Sequence, residues 1–190
     1  MDHTFWYLTR ASGFVAYLLL FASLVLGLTM TGDVASRWLK RYQVYDLHRF
    51  LSLFTLGFSV FHTLIVLPDR YIAFSIVELL VPFASPYRPE FMALGIAALA
   101  LLGLVVGSFY GRHLVGYRTW RLMHYVTFAV FVSAAAHGIG AGTDSSTAWA
   151  PYLYALSIFA VFNLTMYRVM KGSARGLPAE ARRPSRARAL

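Results

Sequence analysis

The chain has 190 residues, 58% of them hydrophobic and 13% charged, and it contains no cysteine, which excludes disulfides, iron–sulfur clusters and thiol chemistry. Ordinary soluble domains are about half apolar and a quarter charged, so the polar surface needed to coat a soluble core is missing. The net charge of +9 does not indicate nucleic-acid binding, because seven basic residues and one glutamate within residues 168–190 account for +6 of it.

Five stretches of the chain are long and apolar enough to cross a membrane, which takes about 20 mostly apolar residues. They cover residues 11–31, 47–67, 91–110, 119–139 and 149–170. A shorter apolar stretch at 71–85, interrupted by Glu78 and Pro82, predicts an interfacial helix. The expected fold is an all-α integral membrane protein, with a five-span helical bundle over residues 1–171 and a disordered, basic cytoplasmic tail over residues 172–190.

The distribution of basic residues predicts how the bundle is oriented. One side collects 14 of the 17 lysines and arginines: the seven of residues 168–190, and in the loops Arg37, Lys40, Arg41, Arg49, Arg112, Arg118 and Arg121. The other side holds only Arg10, Arg70 and Arg88. By the positive-inside rule the N-terminus is expected outside and the C-terminus in the cytoplasm. We expect membrane lipid around the bundle and no nucleic-acid partner.

Histidines inside the predicted spans are the main functional signal. His3 and His113 lie outside the spans and are expected at the polar surface. The second span carries His48 and His62, and the fourth carries His124 and His137. Because an ionisable side chain is costly inside a membrane, four of them predict a functional site.

The spacing of these histidines predicts two levels. His48 and His62 are 14 residues apart, about 21 Å along a helix and on nearly the same face. His124 and His137 are 13 apart, or about 19.5 Å. The second and fourth spans run parallel, so His48 is expected level with His124, and His62 with His137. Facing imidazoles at two depths predict two bis-histidine haem sites suited to electron transfer.

Other side chains support this pattern, and one spacing does not fit it. Ser52, Thr55 and Ser59 extend a polar stripe between the histidines of the second span. On an ideal helix, 13 residues would turn His137 about 140° away from His124, so the fourth span must be overwound, bent or obliquely crossed. The small residues around His137, at 133–136 and 138, would permit close approach of a flat ring.

Two questions remain open at the level of the residues. The four histidines can also be read as polar contacts between helices. Arg49, Arg118 and Arg121 lie near the inner histidines and suit haem propionates, because arginine binds carboxylates through a planar fork. The same three arginines are equally explained as positive-inside charges.

The motifs LHR at 47–49 and FH at 61–62, with WRLMHY at 120–125 and AH at 136–137, resemble the ferric-reductase-like transmembrane domain family. That family includes ferric reductases, NADPH oxidases and the haem subunit of the bacterial methionine sulfoxide reductase system. The resemblance covers residues 4–171. It implies two b-type haems, the inner on His48 and His124 and the outer on His62 and His137. It further implies electron transfer from a cytoplasmic flavoprotein or quinol to an outer acceptor such as ferric iron, in a bacterial plasma membrane.

The chain departs from the family in two ways. Members usually have six spans, and ferric reductases and NADPH oxidases continue into a flavin and nicotinamide domain. Here 20 residues follow Met170, without a glycine-rich dinucleotide fingerprint. The electron donor is therefore expected to be a separate flavoprotein reductase or a quinol. Two alternatives stay open: a quinol-linked cytochrome b anchor of a larger oxidoreductase, and a cofactor-free transporter with histidine proton relays.

Overall fold

The computed structural model describes residues 3–30, 40–69 and 73–176, with the backbone alone for the last five of these. Over those ranges the chain is helical and forms no strand. Its elements in chain order are α1 (Thr4–Thr29), α2 (Arg41–Ile65), α3 (Ile76–Leu80), α4 (Pro89–Tyr110), α5 (Arg112–Val115), α6 (Tyr117–Tyr125), α7 (Thr127–Ala141), a 3-10 turn (Thr143–Ser146) and α8 (Ala150–Gly176).

Four helical segments in the described part of the chain are long and apolar enough to cross a membrane. They are Thr4–Thr29, Pro89–Tyr110, Tyr117–Ala141 (α6 and α7 together) and Ala150–Lys171. The outer face of α8 carries large apolar side chains that are mostly exposed: the exposed fraction is 68% for Leu156, 66% for Phe159 and 60% for Phe162. Soluble proteins rarely expose contiguous apolar surface of this kind, so the faces turned away from the core suit lipid. These helices correspond to four of the five predicted spans.

The second predicted span, 47–67, lies in α2, which has 25 residues and is long enough to cross a membrane. It is not among the four apolar segments. Its first turns carry charged and amide side chains, including Arg41, Gln43 and Asp46, and its interior carries the stripe of histidine, serine and threonine. These polar groups lower its hydropathy, so the five-span architecture stays a prediction.

Both ends of the predicted bundle differ from expectation. The first helix begins at Thr4, seven residues before the predicted span at 11. The last helix continues to Gly176, so the first five residues of the predicted tail are helical. Residues 177–190 of that tail lie outside the described residues, as do Arg37 and Arg70 from the orientation argument.

The predicted interfacial segment, 71–85, contains the five-residue helix α3, while residues 71 and 72 are outside the described ranges. Ser75 caps this helix. Its backbone N–H and its hydroxyl both donate to Glu78, which lowers the pKa of that carboxyl. This contribution to capping is present above the usual pKa of a glutamate and is lost as the pH falls through the lowered value. Position at a membrane surface stays a prediction for α3.

Two antiparallel helix pairs build the bundle: α1 packs along α2, and α4 packs along α7. The last helix, α8, lies against α1 and α7. Tyr17 of α1 is central to the core, because its ring stacks on Phe131 of α7 at 5.8 Å and its hydroxyl meets the Ser157 hydroxyl of α8 at 2.5 Å. The interface of α1, α7 and α8 therefore contains a satisfied polar contact within an apolar core.

Gly140 lets the Phe91 ring lie directly on the backbone of α7, where a Cβ would overlap that ring. Replacing Gly140 with alanine is expected to destabilise the protein by about 1–3 kcal/mol, the usual cost of overpacking. The midpoint of unfolding in detergent micelles measures this. Gly57→Ala is the matched control, because a Cβ at Gly57 meets nothing within 4 Å. Equal midpoints for the two variants would contradict the packing role of Gly140.

Candidate functional site at two histidine pairs

The four histidines of the predicted spans form two facing pairs, matched as the sequence predicts. We call His48 and His124 the inner pair and His62 and His137 the outer pair, after the predicted orientation. His48 of α2 faces His124 of α6, with ring centroids 6.1 Å apart and ring planes at 76°. His62 of α2 faces His137 of α7, with centroids 6.3 Å apart and planes at 77°. The two pairs thus have nearly the same separation and the same near-perpendicular orientation. Within the described part of the chain, which includes all four histidines, no hydrogen bond joins the two rings of either pair.

Three of these rings are held through Nδ1 by a backbone carbonyl. His48 Nδ1 lies 2.9 Å from the Ser23 carbonyl oxygen, and His62 Nδ1 lies 2.9 Å from that of Thr9, both on α1. His137 Nδ1 lies 2.8 Å from the Phe91 carbonyl oxygen on α4. Because a carbonyl only accepts, Nδ1 carries the proton in each case, and Nε2 of the neutral ring keeps its lone pair. The three imidazoles are therefore in the tautomer that binds a metal through Nε2.

His124 is held differently. Its ring packs against the indole of Trp120, which lies one turn earlier on α6. The two ring centroids are 5.4 Å apart, and the ring planes are inclined at 33°. No hydrogen bond to its Nδ1 is formed by the described residues, so one member of the inner pair lacks the carbonyl partner that the other three have.

Two hydroxyls of the polar stripe of α2, those of Ser52 and Thr55, are hydrogen-bonded, and Ser52 faces α1. The Ser52 hydroxyl donates to the His48 carbonyl at 2.7 Å and lies 2.9 Å from the Ser23 hydroxyl. Thr55 is fully buried and donates to the Leu51 carbonyl at 2.7 Å. Ser52 and Thr55 therefore lie inside the helix bundle between His48 and His62, and Ser59 lines the cavity beside His62.

A break in the fourth predicted span accounts for part of the 13-residue misfit. Between α6 and α7 the Val126 N–H donates to the Met123 carbonyl at 3.1 Å, a bond over three residues instead of four. The Thr127 hydroxyl donates a hydrogen bond to the His124 carbonyl oxygen, at 2.6 Å. A turn of this kind advances about 120° per residue instead of 100°, so it removes about 60° of the misfit. Of the three alternatives for the fourth span, overwound, bent or obliquely crossed, overwinding is therefore present at residues 123–126.

A cavity of about 240 Å³ lies at the level of His62 and His137. Its wall includes Arg10, which forms a bidentate ion pair with Asp144; one of the two contacts, from Nε to Oδ2, is 2.6 Å. The Arg10 guanidinium also lies 4.1 Å from the centre of the Trp6 ring. A charged pair joins α1 to the turn after α7 beside the outer histidines.

Each histidine pair has one buried polar atom beside it that lacks a partner among the described residues. At the outer level this is the Thr9 hydroxyl, on a residue that lines the cavity. At the inner level it is Nε1 of Trp120, the residue packed on His124. Native proteins leave few buried polar atoms unpaired, so these two atoms are candidates to bond a water, an ion or another bound molecule.

The predicted propionate partners lie at the surface. Arg49 is exposed, with its guanidinium 5.1 Å from the Phe109 ring centre, and Arg118 and Arg121 are exposed as well. Arg168 of α8 is half-buried and donates to the Gly27 carbonyl of α1 at 3.4 Å, and Gly27 lies against the His48 ring. The structure thus adds Arg168 to the inner pair. His3 and His113 are exposed, as expected.

Sequence reasoning missed the residues that hold the rings, and also Arg168. In the sequence, Arg168 is one of seven basic residues within residues 168–190, and nothing distinguishes it from the others. The carbonyls of Thr9, Ser23 and Phe91 have no side-chain signature, although a glycine follows each of them four residues later. Those glycines are the one signal that could have located the carbonyls.

No protein-family model matches this chain, and no match is found among curated proteins or solved structures. The chemistry of the site therefore rests on its geometry.

Proposed function

We propose that this chain is a transmembrane electron conduit with two bis-histidine haem sites, one on His48 and His124 and the other on His62 and His137. The observation that carries the proposal is the repeated pair of facing imidazoles, at 6.1 and 6.3 Å between ring centroids. A metal bound about 2 Å from each of two opposed imidazole nitrogens separates the ring centroids by about 6 Å. Both pairs are spaced for one metal atom between the rings.

The number of ligands favours haem over a bare metal ion. Within the described residues there is no group of three or more histidine, cysteine, aspartate or glutamate side chains that could hold an ion. Metal sites built from protein side chains commonly need three or four ligands, whereas a porphyrin supplies four nitrogens and needs only axial ligands. A pair of imidazoles therefore suits a metal that brings its own equatorial ligands.

The surroundings of each pair fit the rest of a haem. At the inner level the unpaired Nε1 of Trp120 and the guanidinium of Arg168 are donors that suit a carboxylate, and Arg49 and Arg121 remain further candidates nearer the surface. At the outer level the cavity beside His62 and His137 contains the unpaired Thr9 hydroxyl and Arg10. These residues would hold the propionates and the ring edge. A bound haem would supply a reversible one-electron couple at each level.

The direction of transfer follows from the proposed topology. With α2 counted as a span, the bundle has five spans, α3 lies at the membrane surface, the N-terminus is outside and the C-terminus is cytoplasmic. The site on His48 and His124 would then lie nearest the electron donor, a separate cytoplasmic flavoprotein or a quinol. The site on His62 and His137 would lie nearest the outer acceptor. This is the arrangement of the ferric-reductase-like family, in a bacterial plasma membrane.

The reduced-minus-oxidised absorption spectrum of the purified protein tests the proposal. We expect b-type haem bands and about two haems per chain, because four axial imidazoles ligate two irons. A colourless protein after expression with sufficient haem would overturn the proposal and favour a cofactor-free transporter. Reduction by a quinol alone would identify the chain as a quinol-linked cytochrome b anchor, and reduction that needs a flavoprotein would support the ferric-reductase-like role.

A further inference from the structure

We infer that Gly13, Gly27 and Gly95 are positioning residues for the axial histidines, each forming a notch in a helix into which one imidazole fits. A glycine notch is a helical glycine together with the carbonyl of the residue four positions earlier. The inference rests on the proposed function, because it assigns these glycines to the haem ligands.

Each notch is defined by a hydrogen bond and by a close approach to the same ring. A Cβ on Gly95 would lie 2.6 Å from His137 Nδ1, and the Phe91 carbonyl accepts from that nitrogen. A Cβ on Gly13 would lie 3.0 Å from His62 Cε1, and the Thr9 carbonyl accepts from His62 Nδ1.

The third notch repeats the arrangement at the inner level. A Cβ on Gly27 would lie 3.3 Å from His48 Cε1, and the Ser23 carbonyl accepts from His48 Nδ1. In all three notches the glycine follows the accepting residue by four positions.

Helix geometry explains why glycine belongs four residues after the accepting carbonyl. The Cα–Cβ bonds of a helix tilt toward its N-terminus, so a side chain covers the turn that precedes its own residue. Any side chain at Gly13 would therefore cover the Thr9 carbonyl. With only a hydrogen there, the edge of the His62 ring reaches that carbonyl although it already accepts an intrahelical bond.

The notches repeat with the period of the histidines they serve. Gly13 and Gly27 are 14 residues apart on α1, and so are His62 and His48 on α2. Because α1 and α2 are antiparallel neighbours, equal spacing brings each notch level with one histidine. This correspondence is expected if α1 evolved to position both rings of α2, and it is not needed for packing two helices.

The ring of His124 has no such notch. Gly103 and Gly107 repeat the four-residue spacing on α4, but a Cβ at either position meets nothing within 4 Å. The inner site therefore has one notched ligand, His48, and one ligand packed on Trp120. The outer site has two notched ligands. A hydrogen bond to Nδ1 raises the basicity of a ligating imidazole and fixes its orientation, so the two haems should differ in potential.

Single glycine-to-alanine variants of the full chain test the inference, with Gly103→Ala and Gly107→Ala as matched controls on α4. The methyl group should displace the ring in the order of the approaches: Gly95→Ala most, Gly13→Ala less and Gly27→Ala least. Gly95→Ala and Gly13→Ala should alter only the haem of His62 and His137, and Gly27→Ala only that of His48 and His124. Readouts are haem per chain, the two midpoint potentials and the EPR signals of the ferric haems, which report the angle between axial rings.

We expect Gly95→Ala to lose one of two haems, and Gly27→Ala to keep both while shifting the potential and EPR signal of one. If a variant fails to fold, the milder Gly27→Ala still decides the case through its EPR signal. Spectra of the notch variants identical to those of the controls would overturn the inference while leaving the haem proposal intact. A wild-type chain without haem would overturn the proposed function itself, so the two failures are distinguishable.

Discussion

Replacing His62 with alanine is expected to reduce the haem content from about two per chain to about one, and His137→Ala should remove the same haem. The two rings face each other at 6.3 Å, so each would supply one of two axial bonds to a single iron. His48→Ala and His124→Ala should remove the other haem, because their rings are paired at 6.1 Å. The measurement is haem per chain together with the redox titration of the haem that remains.

The pairing of the histidines also predicts how double variants behave, which single variants do not test. A His62→Ala, His137→Ala double variant should resemble either single variant, whereas a His62→Ala, His124→Ala variant should lose both haems. The exposed histidines at positions 3 and 113 offer matched controls, and their alanine variants should keep both haems. A His62→Ala protein that keeps two haems would contradict the pairing.

Replacing Asp144 with alanine is expected to destabilise the protein by about 1–3 kcal/mol, because it leaves the half-buried Arg10 guanidinium without its charged partner. The Asp144 side chain is 5% exposed and that of Arg10 is 30% exposed, so water can replace only part of the lost contacts. In the haem-free protein, the contact with the Trp6 ring is the one that the Arg10 guanidinium would keep among the described residues. The midpoint of unfolding in detergent micelles measures the loss.

A double variant separates the charge effect from the loss of packing. With both partners replaced, as in Arg10→Met with Asp144→Leu, no unpaired charge remains, and a smaller loss than in Asp144→Ala is expected. Asp46→Ala, at an exposed carboxylate on α2, is the matched control and should change stability by no more than about 0.5 kcal/mol. If the double variant is as unstable as Asp144→Ala, the unpaired charge is not the cause.

The ion pair also bears on the outer histidines, because the two residues it joins are 134 positions apart and both line the cavity beside His62 and His137. The turn that contains Asp144 directly follows α7, the helix of His137. Arg88, directly before α4, makes a further contact with the same end of α7, because its guanidinium donates to the Gly140 carbonyl. Loss of Asp144 should therefore loosen the outer site more than the inner one.

Much of this fold follows from the sequence alone, because lipid imposes a simple rule. Apolar runs of about 20 residues must be helical when no water is present to bond the backbone, so composition predicted four of the segments that are long and apolar enough to span. The pairing of His48 with His124 and of His62 with His137 was predictable too, because parallel helices with nearly equal spacings bring equal depths together. α2 is where the composition rule weakens, because its polar stripe lowers its hydropathy.

Other features were decided only by tertiary structure. The carbonyls of Thr9, Ser23 and Phe91 accept from histidines more than 20 residues away, and the glycine four residues after each carbonyl does not indicate which side chain reaches it. The break at Val126 depends on one bond over three residues, where the surrounding sequence is compatible with a continuous helix. The place of Arg168 beside the inner pair depends on how α8 packs against α1. Local periodicity determines which face and which depth a side chain occupies, whereas only packing between distant helices determines what it touches there.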